Sequence, residues 1–327
     1  METAVQLARW YTGKPFILVP YGDYHGRTPG TMGLTGKATM WSYYYPIPPI
    51  DTAISYFPYP YCYRCPYDKE YPQCDIYCIK FLDFYFKSNQ TPFMDVRKGI
   101  SNVAAIIIEP MQGSGGYIIP PDNYLVRLQE LCRKYDILLI IDEIQTGMGR
   151  TGKMWACEHW NVEPDVICMS KAMAAGLPCG ACVTRKEIMN WDPGAHENTL
   201  GGNPIVIAAA LAVLRVIFKE RLIENAREMG EYLMKRLKEI QQNNEIIGDV
   251  RGKGLMIGVE LVKDKKTKTP ARKERNELIM EAFKRGLLLL GAGESSLRLA
   301  PPLIINKQQI DTGLEIMEES LKAIQGM

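Results

Sequence analysis

The sequence predicts an α/β protein: a mostly parallel sheet sandwiched by helices, followed by a smaller carboxyl-terminal α+β domain. Three observations predict it. Short apolar runs of strand length, "AAIII", "ILLII" and "VICM", alternate with amphipathic stretches of helical length such as "NYLVRLQELCRKYD", and strands apolar on both faces belong in a parallel sheet covered on both sides. From about residue 245 the order changes to a mixture of strands and helices without that alternation. The 327 residues, 46% hydrophobic and 23% charged, suffice for one large core and one smaller core. The expected boundaries are a large domain over 1–205, a connecting helix over 206–244 and a small domain over 245–327.

Each element has its own reason. In "ETAVQLARWYTG" the residues Ala4, Leu7, Ala8 and Trp10 fall on one side of a helix. Only Met1 precedes it, so no capping residue is present and the chain is expected to begin inside a helix. "PFILVP" reads as a strand and "YGDYHGRTPGTMGLTG" as a glycine-rich loop. Residues 41–92 are dense in Tyr, Pro and Cys without a sustained period, which predicts a long ordered excursion ending in a short helix around "IYCIKFLDFYF". Strands "AAIIIEP", "ILLIIDE", "DVICMS" and "CGACVT" follow, then a helical stretch over 203–242. The last block holds strands "LMIGVELV" and "SLRLAPPL" and helices "ERNELIMEAFKRG" and "QIDTGLEIMEESLKAI", with "KDKKTKTP" a solvated loop.

Charge narrows the function. A formal net charge of +2 provides no field selective for nucleic acid or an anionic membrane. No apolar run approaches a membrane span, and "METAVQLARW" lacks the basic-then-apolar order of a secretory signal. With nine cysteines, an odd number, the expectation is a cytoplasmic protein with mostly reduced thiols.

In parallel sheets ligands collect at the carboxyl ends of strands. Glu109, Asp142 and Lys171 stand at three such ends. A lysine whose pKa is lowered by burial forms Schiff bases, and a neighbouring carboxylate can hold a pyridine nitrogen protonated; a pyridoxal phosphate enzyme needs both. On these residues alone a plain Lys171–Asp142 salt bridge is an equal alternative.

The longer stretch "LLIIDEIQTGMGRTGKMWACEHWNVEPDVICMSKAMAAGLPCGA" resembles the extended signature of the class III aminotransferases, fold type I pyridoxal phosphate enzymes related to 4-aminobutyrate, acetylornithine and ornithine aminotransferases. The resemblance continues through "YHGRT", "EPMQGSGG", "TLGGNP", "DVRGKGLMIGVEL" and "LRLAPPL", covering nearly the whole chain. It implies that Lys171 is the Schiff-base lysine and proton shuttle, that Asp142 pairs with the pyridine nitrogen, and that Gln145 bonds the ring's phenolic oxygen. Tyr24 would stack on the ring, with His25 and Glu109 lining the site. Thr199 would reach the phosphate bound by a partner subunit, which implies a homodimer with shared sites. Arg298 would bind an α-carboxylate, and Arg27 a more distant one. The implied reaction moves an amino group from an amino acid, of 4-aminobutyrate or α-amino type, to a 2-oxo acid.

Two departures bear on this. Many relatives carry a second glutamate in "EPxQGEGG"; here Ser114 occupies that place, which leaves Arg298 uncancelled and leaves room for an α-amino donor or for racemisation. The family's helix corresponding to "ETAVQLAR" follows a Ser-Gly-Thr type turn that binds the cofactor phosphate, and a segment of roughly a hundred residues, a domain-scale length. A chain beginning at that helix could therefore be a non-catalytic piece that needs a partner.

Cys62, Cys65, Cys74 and Cys78 have C-x2-C-x8-C-x3-C spacing, compatible with a zinc site, with reduced packing cysteines or with a local disulfide. Cys168, Cys179 and Cys182 read as core residues. The histidines His25, His159 and His196 have no metal spacing, so no metal is otherwise expected.

Overall fold

A computed structural model describes residues 1–37 and 53–326. The part of the expected 41–92 excursion that falls on 41–52 lies outside them. The chain forms two compact units.

The first unit comprises Met1–Pro110, Pro120–Gln145 and Cys157–Leu214. It opens with helix α1 (Glu2–Thr12), which no side chain caps at its start; Gly13 ends it with φ 66. Strand β1 (Phe16–Pro20), the short helix α2 (Pro29–Met32), strand β2 (Ile54–Phe57) and helix α3 (Tyr77–Lys87) follow. A two-strand ribbon of β3 (Met94–Asp95) and β4 (Ile100–Ser101) precedes β5 (Val103–Ile108), α4 (Tyr124–Lys134), β6 (Leu138–Asp142), β7 (Val166–Met169) and β8 (Ala181–Thr184). The six-stranded sheet has the order β2-β1-β5-β6-β7-β8. Every pair is parallel except β7 with β8.

β5 and β6 are buried at every position. That is why they read as unbroken Ile and Leu: alternate side chains point to opposite faces, and both faces are covered. α1 packs Ala4, Leu7 and Ala8 into a cluster with Ile17, Val19, Ala105, Ile107 and Ile140. Trp10, expected on that buried side, is instead 45% exposed and lies beside Trp191 with ring centroids 6.4 Å apart; Val5 takes the buried place.

Helix α5 (Pro204–Lys219) contains the boundary between the units. The single helical stretch expected over 203–242 is two helices, α5 and α6 (Leu222–Gln242), because Arg221 adopts a left-handed φ of 53 between them.

The second unit comprises Met111–Ile119, Thr146–Ala156 and Arg215–Met327. After α6 come β9 (Ile247–Lys253), β10 (Met256–Asp264), β11 (Thr269–Pro270), α7 (Arg272–Lys284), β12 (Leu290–Ala292), β13 (Ser296–Leu299) and α8 (Lys307–Gln325). The strands form an antiparallel sheet ordered β11-β10-β13-β12, with β9 also on β10. α6, α7 and α8 cover it through Leu233, Leu237, Leu278, Leu314 and Met317. A capping box starts α8: Asn306 accepts from Gln309 N while Gln309 accepts from Asn306 N. At the β9–β10 turn, a side chain on Gly230 would meet the Gly254 backbone at 2.3 Å, so the glycines let helix and turn touch.

Candidate active site

The site of the first unit is built where strands end. Asp142 is the last residue of β6, 3% exposed. Its Oδ1 accepts the Ile144 N–H at 2.9 Å, and its Oδ2 lies 2.7 Å from His25 Nδ1. Glu109 directly follows β5, also buried, and accepts the Tyr24 N–H at 2.7 Å. The loop carrying Tyr24 and His25 is held by Thr35, which accepts from His25 N at 3.1 Å and donates to Gly26 O at 3.0 Å. Gly26 has φ 137, and a Cβ there would sit 2.3 Å from Thr31 Oγ1, so this turn needs glycine.

Asp23 completes the cluster. Fully buried, it accepts the Glu109 N–H at 2.9 Å and stands 3.5 Å from His25 Nε2. That separation allows charge attraction without a good hydrogen bond, and among the described residues Nε2 has no hydrogen-bond partner. One imidazole therefore lies among Asp23, Asp142 and Glu109. Burial pulls the His25 pKa down, but hydrogen bonding and attraction from Asp142 and Asp23 outweigh it and raise the value to about 10. Burial, reinforced by repulsion from Asp23 and Asp142, pushes Glu109 up to about 8. The site thus favours the imidazolium form of His25 and the protonated form of Glu109.

The parallel register pairs Asp142 with Cys168 on β7. Lys171 comes three residues later, at the same end of the sheet. It is exposed, not buried as a lysine at the exit of an apolar strand was expected to be. With φ 36 it opens the 3₁₀ turn Lys171–Ala174, which turns it off the strand axis, so its cation needs no buried partner. Such a left-handed non-glycine conformation costs energy and recurs at functional positions.

Gln145 is half-buried three residues past Asp142. Arg27 is exposed with its guanidinium 5.9 Å from the centre of the Tyr24 ring. Thr199 lies in an exposed turn over 198–202, where Asn198 Oδ1 accepts the Leu200 N–H. Tyr24, His25, Glu109 and Asp142 are thus brought together, and Lys171 and Gln145 extend from the same strand ends.

Arg298 belongs to the second unit, on β13, half-buried. Its Nε is buried without a hydrogen-bond partner, and among the described residues the guanidinium forms no ion pair. It borders a cavity of about 320 Å³ lined by aliphatic side chains, including Leu233, Leu287, Leu299 and Met317. Ser114 is fixed in the same unit by Gly293, whose N–H donates to its carbonyl at 2.9 Å.

Sequence reasoning missed Asp23. Its only local signal is a carboxylate in "GDYHG", and its partner Glu109 N is 86 residues away.

Cys62, Cys65, Cys74 and Cys78 line one cavity of about 20 Å³, all as free thiols. Burial pushes Cys62 up to about 11 and Cys78 up to about 12, which keeps them protonated. Among the described residues no group of three or more His, Cys, Asp and Glu is arranged to hold a metal ion.

The donor set fits pyridoxal phosphate. Among the described residues each oxygen of Asp142 has one hydrogen-bonding neighbour, and a carboxylate oxygen can accept two hydrogen bonds, so a protonated pyridine nitrogen can be accommodated. Lys171, the lysine that the resemblance assigns to the aldehyde, stands just past the end of the next strand. Comparison with known proteins agrees. The family model for class III aminotransferases matches residues 1–321. A leucine/methionine racemase from Thermococcus litoralis is 39% identical over 99% of this chain and 71% of its own length. A 4-aminobutyrate aminotransferase from Mycobacterium bovis is 40% identical, over 97% and 70%. The pyridoxal phosphate-bound amine transaminase of an uncultivated Pseudomonas species superposes with a TM-score of 0.87 at 32% identity, covering 99% of this chain and 74% of that one. The chain belongs to the class III aminotransferases, enzymes that use pyridoxal phosphate to move amino groups between amino acids and 2-oxo acids.

Proposed function

We propose that the amino donor is an α-amino acid whose α-carboxylate is gripped by Arg298. The observation that carries this is the Arg298 Nε, buried without a hydrogen-bond partner among the described residues, and Ser114 stands where many class III enzymes are expected to carry a cancelling glutamate. A buried cationic donor with no acceptor is costly, and a carboxylate ligand supplies the acceptor.

When bound, pyridoxal phosphate supplies an electron sink for the electrons left as the donor's Cα–H bond breaks. Lys171 would anchor the cofactor and afterwards carry the proton between the substrate's Cα and the carbon of the cofactor's aldehyde group. Asp142 keeps a proton on the ring nitrogen, and its own orientation is held by Ile144 N–H and His25. Glu109 fixes the backbone of Tyr24, whose ring offers a stacking face. Gln145 takes the phenolic oxygen. Arg27 takes the distal carboxylate of a dicarboxylic 2-oxo acid such as 2-oxoglutarate.

The active form in this reading is a homodimer, with Thr199 contributing to the partner's cofactor phosphate. The apolar side chains that α5 leaves exposed support it: Ile205 is 73% and Phe218 62% exposed. A cytoplasmic location is supported by nine cysteines that are all free thiols. No described helix is long and apolar enough to cross a membrane.

The test is a panel of α-amino acids and 4-aminobutyrate with 2-oxoglutarate, for the native chain and Arg298→Leu. Loss of a bidentate charge-assisted contact should raise KM for α-amino acids by about 10- to 100-fold. Preference for 4-aminobutyrate, or an Arg298→Leu variant with unchanged KM, overturns the reading. Inversion of one enantiomer without consumption of a 2-oxo acid would assign racemisation instead, as the racemase relatives allow.

A further inference from the structure

The antiparallel register of β7 and β8 sets Cys168 directly opposite Cys182. Both side chains lie on the same face of the sheet and pack into one cluster with Val166, Leu138 and Ile140. Directly opposed residues of antiparallel strands have Cα atoms about 4.5–5.5 Å apart. A disulfide spans about 4.4–6.8 Å between Cα atoms. The backbone separation at this pair therefore falls in the range that a cross-strand disulfide needs.

The two neighbouring thiols differ: the contact with Cys182, with burial adding to it, holds the Cys168 thiol above its ordinary range, and the contact with Cys168 lowers the Cys182 thiol. Cys168 is 1% exposed, whereas Cys182 is half-buried and reachable from solvent. An accessible nucleophilic sulfur backed by a shielded second thiol is an arrangement for thiol–disulfide exchange. The raised thiols of Cys62 and Cys78 show that this is not general to the chain's cysteines.

The pair also brackets one particular segment. Between Cys168 and Cys182 runs the loop that begins with Ser170 and Lys171, containing left-handed backbone at Lys171, Ala175 and Gly176. Ser170 Oγ donates to Cys179 O across its stem.

We propose that Cys168 and Cys182 form a thiol–disulfide exchange site for low-molecular-weight disulfides, and that its closure makes a cross-strand bond at the base of the Lys171 loop. The Cys182 thiolate attacks one sulfur of the small disulfide, and the first small thiol leaves as thiolate. Cys168, giving its proton to solvent or to that thiolate, then attacks the Cys182 sulfur and expels the second small thiol. The balance is two protein thiols and one small disulfide giving one protein disulfide and two small thiols. The protein is oxidised and the small disulfide reduced.

The experiment incubates the purified holoenzyme with glutathione disulfide, blocks remaining thiols by alkylation and maps peptides by mass. The expected product is a peptide pair joined through Cys168 and Cys182, lighter than its reduced parts by two hydrogens and restored by dithiothreitol. Cys182→Ser should abolish it and keep full turnover in reducing buffer. Cys168→Ser, which removes the resolving thiol, should accumulate a stable glutathione adduct on Cys182. In the native chain closure should also slow amide hydrogen exchange over 170–180 several-fold. A native chain that stops at a glutathione adduct on Cys182, or a Cys168→Ser variant with no adduct, overturns the proposal. So does oxidation confined to the Cys62–Cys78 region.

Discussion

Each unit buries one ionic network, and the two are built to opposite specifications. In the second unit Arg251 donates from Nε to Tyr117 O, from Nη1 to Asp249, and from Nη2 to Gly116 O, Ser296 Oγ and Glu260 Oε2. Ser295 donates to the other oxygen of Glu260 at 2.8 Å. Every charge there meets an opposite one, and the carbonyls of 116–117 are tied to the sheet. In the first unit one imidazole faces three carboxyl groups, its Nε2 lacks a hydrogen bond among the described residues, and burial with the neighbouring carboxylates favours a proton on Glu109. The satisfied network is a fastener. The unsatisfied one is held in place by the surrounding sheet and retains capacity for a further partner, which is what a cofactor site requires.

The comparison predicts different kinds of damage. Arg251→Ala should cost about 3–5 kcal/mol of stability, since it strands Glu260, 2% exposed, without its cation. Chemical denaturation of the second unit would show it. A loss below 1 kcal/mol would mean that solvent reaches Glu260 and that the network fastens nothing.

Asp142→Asn should do the reverse. Asparagine can still accept the Ile144 N–H, so the strand end keeps its local geometry, but the charge proposed to face the ring nitrogen is lost. By analogy with removal of one preorganised electrostatic group, turnover at saturating pyridoxal phosphate should fall about 100- to 1,000-fold, about 3–4 kcal/mol. The melting temperature should move less than in Arg251→Ala. Near-normal turnover would remove Asp142 from the reaction.

How much of this was legible in sequence follows from where each contact's partner lies. β5 and β6 were legible because burial on both faces leaves no polar interruption, β7 because its run is apolar although alternate residues are only half-buried, and Glu109 and Asp142 because a carboxylate after such a run breaks the pattern. The roles of Tyr24, Gln145, Thr199, Arg27 and Arg298 came from family resemblance, since nothing in their spacing fixes a task. β2 was invisible: "ISYF" is short, mixed in polarity and set in a Tyr- and Pro-rich stretch, and only pairing with β1 makes it a strand. The break between α5 and α6 involves neither glycine nor proline, and propensity cannot foresee a left-handed Arg221. The exposure of Lys171 depends on one backbone angle. The facing of Cys168 and Cys182 depends on strand register, which turns on the whole loop between them.

The proton on Glu109 gives the subtlest way to sharpen the contrast. Unfolded, this carboxyl titrates near 4.5; folded, near 8. Its folded pKa is raised, so the folded state binds more protons between those values, and the associated stability is fully present below 4.5 and lost as pH rises through 8. His25 acts in the same direction over a higher window, its value rising from 6.5 to about 10, so its contribution is lost as pH climbs through 10. Glu109→Gln removes the first titration while its amide oxygen can still accept the Tyr24 N–H. The variant and the native chain should therefore have similar urea midpoints at pH 4.5. By pH 8 the variant should be the more stable by an amount on the order of 1 kcal/mol or more, since each pKa unit corresponds to about 1.4 kcal/mol. Native and variant curves that run parallel from pH 4.5 to 8 would mean that Glu109 ionises freely in the folded protein. The imidazolium of His25 would then face three full negative charges, and the first unit's network would be closer in kind to the second's than the contrast allows.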